Sequence, residues 1–425
     1  MKKEAAKKSV TSEKSKGKNA FLAQFFHSGS IDGIFCCIVF LLFGIGIIMM
    51  YSASYAYAGT NAEGGAGHYF RRQLLWGTLG LIFMFIISKV DYRILNGKLG
   101  VVFMMPVTII LMFVALLTNS DESIKRWIRI GSFSFQPSEL MKFVTVLILA
   151  YVICILSDTL KTPRGKVCTP KRVKLSKFEK IFYYFIDTAD KASILLLAIV
   201  AIFTLIVLIG KHLSGAILIF LIGMSMLWLG GVPKRWIVLV AVGVTAAVTL
   251  VVAKPQILTI FSDYAYERIA VWKEKTTVGS TTYWQTWQSL LAIGSGGPFG
   301  LGLGNSKQKL LYIPEPQNDF VFAVVCEELG FVGAIIILLI FAVLIIRGFM
   351  IAAKTTDYFG ALLVSGIMLH IGLQIVLNIA VITDLIPNTG IPFPFFSYGG
   401  TALFILLCEM GVVLSVSRKS YLDKE

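Results

Sequence analysis

A chain of 425 residues that is 56% hydrophobic and only 15% charged is not a soluble enzyme built around one core, and its mean hydropathy of +0.78 is that of a protein threaded repeatedly through a bilayer. The net charge of +15 suggests nucleic acid only until the charges are placed along the chain. The six cysteines show no CxxC or Cys/His spacing, so they imply neither a metal cluster nor a disulfide framework.

Residues 1–30 begin "MKKEAAKKSVTSEKSKGKNA" and predict a disordered basic tail. They are not a cleaved signal peptide, because the apolar run that follows is too long and no small-residue cleavage site ends it. Ten apolar segments then follow, at about 33–54, 73–88, 99–118, 141–156, 192–210, 214–230, 235–253, 319–346, 358–384 and 401–417. The expected fold is an all-α polytopic membrane protein, a single ten-helix domain over 31–420 with a short tail at 421–425. A basic loop at 157–191 and a long loop at 254–318, between the seventh and eighth helices, interrupt it.

Lysine and arginine bias orients these spans. With ten crossings, the tail, Lys89, Arg93, Lys98, the 157–191 loop, Lys234, Arg235, Arg347, Lys354, Arg418 and Lys419 all fall on one side. That side is read as the cytoplasm, with both termini there. The positive charge is thereby assigned to orientation and lipid headgroups rather than to nucleic acid.

Three of the loops on the other side stand out. The first, 119–140, carries Lys125, Arg126 and Arg129 against the charge bias, with Trp127 among them. Tryptophan and arginine favour the headgroup layer, and Phe133 and Phe135 alternate as an interfacial strip would. The same cations suit phosphate oxygens. Pro137 and Glu139 mark a helix start. In the second loop, Trp284, Trp287, Leu290 and Leu291 have the spacing of an amphipathic interfacial helix, and Lys307 and Lys309 are read as external cations. The third, "DLIPNTGIPFPFFSYGG" at 384–400, is stiffened by proline, while Gly399 and Gly400 permit unusual backbone angles. Irregular apolar backbone at membrane depth must line a cavity or pack on protein.

The acids need separate accounts. Asp319 opens the eighth segment and has the character of an N-cap, with Glu315 in the loop before it. Glu327 and Glu328 lie ~12 Å deeper at 1.5 Å per residue. Charges there should face a protein interior and pair, with Lys142, Lys211 or His212 as candidate partners. Glu409, and His370 with Gln374 and Asn378, belong to the same class of buried polar groups.

Three stretches, "KRWIRIGSFSFQPSELMKF", "GLGLGNSKQKLLYIPEPQNDFVFAVVCEELGFVGA" and "NTGIPFPFFSYGGTALF", resemble the SEDS family (shape, elongation, division and sporulation), whose members include FtsW, RodA and SpoVE. The resemblance covers about residues 30–420, and the wording of "PEPQNDF" and "NTGIPFPFFSYGG" is closer to the FtsW and SpoVE branch than to RodA. It implies a peptidoglycan glycosyltransferase that polymerises lipid II at the outer face of the bacterial plasma membrane. A class B penicillin-binding protein, the transpeptidase, and other divisome or elongasome membrane proteins are the implied partners. It implies Asp319 as the essential acid and Trp127, preceded by Arg126, as functionally important. Two places depart from the family pattern: "GKHLSGAILI" lacks the usual Asp-Leu-Gly, and 254–280 lacks the Asp-Pro that commonly follows the arginine, so no role passes to Arg268 from that motif.

The chemistry expected of such a site is one base for the attacking sugar hydroxyl, Asp319, and cations for the departing diphosphate: Arg126, Lys125 or Lys309, with magnesium or manganese as a candidate addition. An aspartate is a weak base at neutral pH unless burial or a neighbouring carboxylate, here Glu315, strengthens it. Trp127 would shape the groove or stack on a sugar. Glu327, Glu328, Ser397, Gly399 and Gly400 are assigned to packing. The rival expectations are a lipid II flippase, which also suits intramembrane acids and broken helices, and a scaffold that only recruits the transpeptidase.

Overall fold

The computed structural model describes residues 30–61, 65–97, 100, 103–118, 127–130, 133–160, 188–256, 263–275 and 281–422. The basic tail, most of the 157–191 loop, and Lys125 and Arg126 fall outside these residues.

Each of the ten apolar segments forms a helix, the one backbone that satisfies its own polar groups without water. In chain order these are α1 (Gly33–Asn61), α2 (His68–Lys89), α3 (Met105–Thr118) and α4 (Pro137–Ile155), with a short α5 (Ser157–Leu160) after it. Then come α6 (Ala189–Ile209), α7 (Leu213–Leu229), α8 (Lys234–Ala253), α9 (Asp263–Glu274) and α10 (Thr281–Ser295). The chain closes with α11 (Val321–Lys354), α12 (Tyr358–Ile382) and α13 (Gly400–Leu422). Among the described residues, eight of these helices are long and apolar enough to cross a membrane; α3 and α7 are apolar but shorter. The long loop holds α9 and α10, and α10 exposes Trp284, Trp287 and Leu291 while burying Tyr283, Thr286 and Ala292.

Buried α4 forms the centre and packs against α3, α6, α7, α12 and α13. Small residues bring α2 against α13: a Cβ on Gly80 would stand 2.6 Å from Leu407 and one on Gly411 2.7 Å from the Met84 carbonyl. Helix α8 buries no residue. At the end of the bundle where α11 finishes, Arg347 holds Asp32 at 2.8 Å and Tyr92 donates to Asp357 at 3.2 Å. Burial, reinforced by Asp357, pushes the Tyr92 phenol well above its ordinary range, so it remains a donor.

A hairpin of two short strands, β1 (Ile128–Ile130) and β2 (Phe133–Phe135), stands before α4, with Arg129 opposite Ser134. The alternation expected to lie flat in the boundary plane is therefore paired strand. Pro137 occupies the first turn of α4.

Helix α11 is broken. Gly330 has φ 68° and ψ −173°, a backbone region that only glycine adopts readily. In an unbroken helix the carbonyls of Glu327 and Glu328 would take the amides of Phe331 and Val332. Here they accept from Leu301 and Gly302, both at 3.0 Å, while those two amides turn to Gly297 and Pro298 at 2.9 and 3.0 Å. The loop after α10 thus splints the break and satisfies every backbone group that it frees at these positions.

Candidate functional site

A cavity of about 630 Å³ opens at the end of the bundle where α2, α11 and α13 begin and α12 ends. Its wall is the irregular 388–400 segment, which three side-chain amides hold in place. Asn378 of α12 donates to the carbonyls of Ile391 (2.7 Å) and Asp319 (2.8 Å), and Gln374 donates to that of Pro392 (2.8 Å). Gln73 of α2 donates to the carbonyl of Ser397 and accepts from the amide of Gly399. The Ser397 hydroxyl takes the amide of Phe393 at 2.6 Å. A chain that cannot be helical is thus fully paired at these points by amides projecting from helices.

The mouth collects charge. Asp319 lines it, partly exposed, and Gly390 turns close enough that a Cβ there would meet the Asp319 carboxylate at 3.5 Å. Helix α11 begins at Val321 after Phe320, so Asp319 precedes the cap instead of supplying it, and its side chain belongs to the cavity. Glu315 also lines the mouth, with a backbone φ of 48°. Its carboxylate accepts from Asn318 at 2.7 Å and from the Tyr57 hydroxyl at 3.4 Å. Trp127 and Arg129 reach the cavity from the hairpin, Arg72 from α2, and Arg268 from α9. The Arg268 guanidinium binds the carbonyl of Asn388 and its side-chain oxygen, the latter at 3.1 Å.

Leu75 and Trp76 of α2 and Leu403 and Leu406 of α13, two helices packed closely together, line an apolar cleft of the cavity. Gly400 makes this possible by being small, since a Cβ there would lie 2.2 Å from the Trp76 ring. Neither Gly399 nor Gly400 has a positive φ, so the size of these residues rather than their backbone freedom is what this segment uses. The floor is polar. Glu139 and Lys142 pair at 2.7 Å, His212 meets Ser138 at 2.9 Å and His370 meets Glu409 at 3.1 Å. Among the described residues, Nε2 of His370 and Oε1 of Glu409 have no hydrogen-bond partner.

The cavity therefore unites Asp319, Glu315, Trp127, Ser397, Gly399 and Gly400. It does not include Lys309, whose ammonium lies buried against Glu328 at 2.6 Å and the Ser52 hydroxyl at 2.9 Å. Nor do Glu327 and Glu328 pair with Lys142, Lys211 or His212. Glu327 takes the amide of Lys307 at 2.9 Å and the hydroxyl of Ser306, and Glu328 takes Lys309 and Ser52. Lys142 is occupied by Glu139 and Gln374. Sequence reasoning overlooked Arg72 and Tyr398. Arg72 stands one residue before the point at which hydropathy starts the second segment, so composition gave no reason to place it inside a helix. Among the described residues no three His, Cys, Asp or Glu side chains gather as a metal site.

Fold and site together define a polytopic helical membrane protein with a cavity at one end, charged at its mouth and apolar below. The family model for cell cycle proteins of the FtsW, RodA and SpoVE type matches residues 33–422, and the chain belongs to that family. It is 35% identical over 395 residues to stage V sporulation protein E of Bacillus subtilis (strain 168), covering 92% of this chain and 98% of that one. It is 32% identical over 397 residues to a probable peptidoglycan glycosyltransferase FtsW of Geobacter sp. (strain M18), covering 91% and 97%. The fold matches the crystal structure of the rod shape determining protein RodA of Thermus thermophilus with a TM-score of 0.61 at 24% identity, covering 92% and 98%. It also matches a chain from a study of polymerization and crosslinking by a peptidoglycan synthase complex, with a TM-score of 0.66 at 23% identity, covering 92% and 99%.

Proposed function

We propose that the protein is a peptidoglycan glycosyltransferase that polymerises lipid II into glycan strands at the outer face of the plasma membrane during division or sporulation. The relatives named as glycosyltransferases support the activity. The observation that carries the mechanism is that Asp319, Arg72, Arg129 and Arg268 line one cavity together with an apolar cleft. Lipid II has the same three parts: a sugar, a diphosphate and a long polyprenyl chain.

Asp319 takes the proton of the acceptor sugar hydroxyl. The hydroxyl oxygen then bonds to the anomeric carbon of the donor, and the bond from that carbon to the diphosphate breaks. Undecaprenyl diphosphate leaves with the electron pair, and the arginines at the mouth balance its charge. Trp127 shapes the entrance. Arg126 and Lys125, which lie outside the described residues, remain candidates for the same role by their place next to Trp127 in sequence. A class B penicillin-binding protein works beside this chain and crosslinks the strands.

The test is lipid II polymerisation by the full chain co-expressed with its transpeptidase partner, with glycan chains resolved on a gel and moenomycin present to silence class A polymerases. Asp319→Asn should lower the rate about 100-fold or more, the scale of a lost general base, while folding and partner binding are retained. Wild-type rates from that variant would remove Asp319 from the chemistry. No polymer from the wild type, with a control enzyme accepting the lipid, would favour the flippase or scaffold.

A further inference from the structure

The helix face that lines the cavity is ordered along its axis. On α2, Leu75 and Trp76 border the apolar cleft, Arg72 lies one turn nearer the mouth, and Tyr69 lies one turn beyond Arg72. Tyr69 does not itself reach the cavity lining. Its ring packs edge-to-face on Tyr398 with centroids 4.7 Å apart, and Tyr398 does line the cavity. On its other side Tyr69 meets Tyr57 at 6.2 Å, and the Tyr57 hydroxyl donates to Glu315. Two groups thus face the mouth, an aromatic ring and a carboxylate, and one chain of phenols supports both. Asn318 fixes the second oxygen of Glu315. The amide of Tyr398 is held by the carbonyl of Gln317 at 2.7 Å, so ring and carboxylate belong to one tied unit.

Resting on the function above, we propose that Tyr398 and Glu315 form the saccharide subsite for a prenyl-diphosphate-linked sugar whose diphosphate lies at Arg72 and whose chain runs past Trp76. The order ring, cation, apolar cleft along one helix repeats the order sugar, diphosphate, prenyl chain along such a molecule. A phenol ring offers its face to the C–H surface of a sugar, and a fixed carboxylate accepts from its hydroxyl or amide N–H groups. Glu315 is suited to this because its two oxygens are oriented by Tyr57 and Asn318 yet its side chain stays exposed. Tyr57 and Tyr69 act through these two and do not touch the ligand.

The experiment measures binding of two probes to the full-length protein in lipid nanodiscs: lipid II, which carries the sugars, and undecaprenyl diphosphate, which does not. Tyr398→Ala should weaken lipid II roughly fivefold, the effect of losing one aromatic contact, and leave undecaprenyl diphosphate unchanged. Tyr398→Phe should retain wild-type binding of both. Glu315→Gln and Tyr57→Phe should weaken lipid II alone. Unchanged undecaprenyl diphosphate binding also certifies that each variant is folded. Equal weakening of both probes, or of neither, overturns the subsite. A wild type that polymerises while its variants bind lipid II normally overturns the subsite but not the polymerase. A wild type with the expected binding pattern and no polymer overturns the polymerase and leaves the subsite.

Discussion

Lys309 shows how a charge can be misread by position. It sits in a loop that sequence reasoning puts outside, yet it is 5% exposed and its ammonium contacts Glu328, itself fully buried. A buried pair of this kind is weak evidence for stability, but removing one partner is costly because it strands the other charge. Lys309→Met should therefore destabilise the protein by about 3 kcal/mol, and the double variant with Glu328→Met should recover most of that loss. Thermal unfolding in detergent, followed by size-exclusion chromatography, checks both; a single variant as stable as the wild type would show that the pair is not sensed. The need for a partner near Glu327 and Glu328 was legible, since charges at that depth must be satisfied. Its identity was not, because Lys309 lies 19 residues before Glu328 and returns through a non-periodic loop. The resemblance to the family's motifs singles out Asp319 and Trp127, with Glu315 beside Asp319; residue pattern alone reads them as an N-cap, an interfacial anchor and a loop acid. Arg72 and Tyr398 were overlooked because an arginine pair at a segment edge and a tyrosine in an apolar loop have no distinguishing pattern.

The elements were readable where one physical rule governs them. Lipid demands internally bonded backbone, so a long apolar run becomes a helix whatever its neighbours do. The break in α11 follows no such rule. A glycine within an apolar run is read equally well as a packing position, a weak helix residue or a kink. The splint decides between them, and it is tertiary: the amides of Leu301 and Gly302 fill positions vacated by Phe331 and Val332. Gly330→Val should undo it. A Cβ on Gly330 would stand 2.2 Å from the Gly300 nitrogen, a contact that backbone cannot relieve by rotating a side chain. The unusual backbone adds about 1–3 kcal/mol. Hydrogen exchange should then show Leu301 and Gly302 losing protection, with the amides of α4 unchanged. Protection retained at both residues would mean that the loop docks without the break. Because the 297–302 loop and Asp319 flank the same upper half of α11, the variant should also polymerise poorly while its Asp319 is intact.

At the scale of the whole molecule, the two ends of the bundle differ in their chemistry. Near the start of α11 are Asp319, Glu315 and the cavity; near its finish are Arg347, Lys354 and, across the Tyr92–Asp357 contact, Arg93. The lysine and arginine bias of the sequence predicts that the end where α11 finishes is the cytoplasmic one. A substrate presented outside must then meet the other end, so the orientation and the proposed polymerisation stand or fall together. Two single cysteines, introduced in a background lacking the native ones, test this in intact cells with a membrane-impermeant thiol reagent. Leu303, 55% exposed in the loop after α10, should label as Leu303→Cys. Lys354→Cys, exposed at the far end of α11, should label only after the membrane is opened. The reverse pattern would turn the cavity toward the cytoplasm, where strands could not be delivered to the wall, and the carboxylate at its mouth would need another substrate.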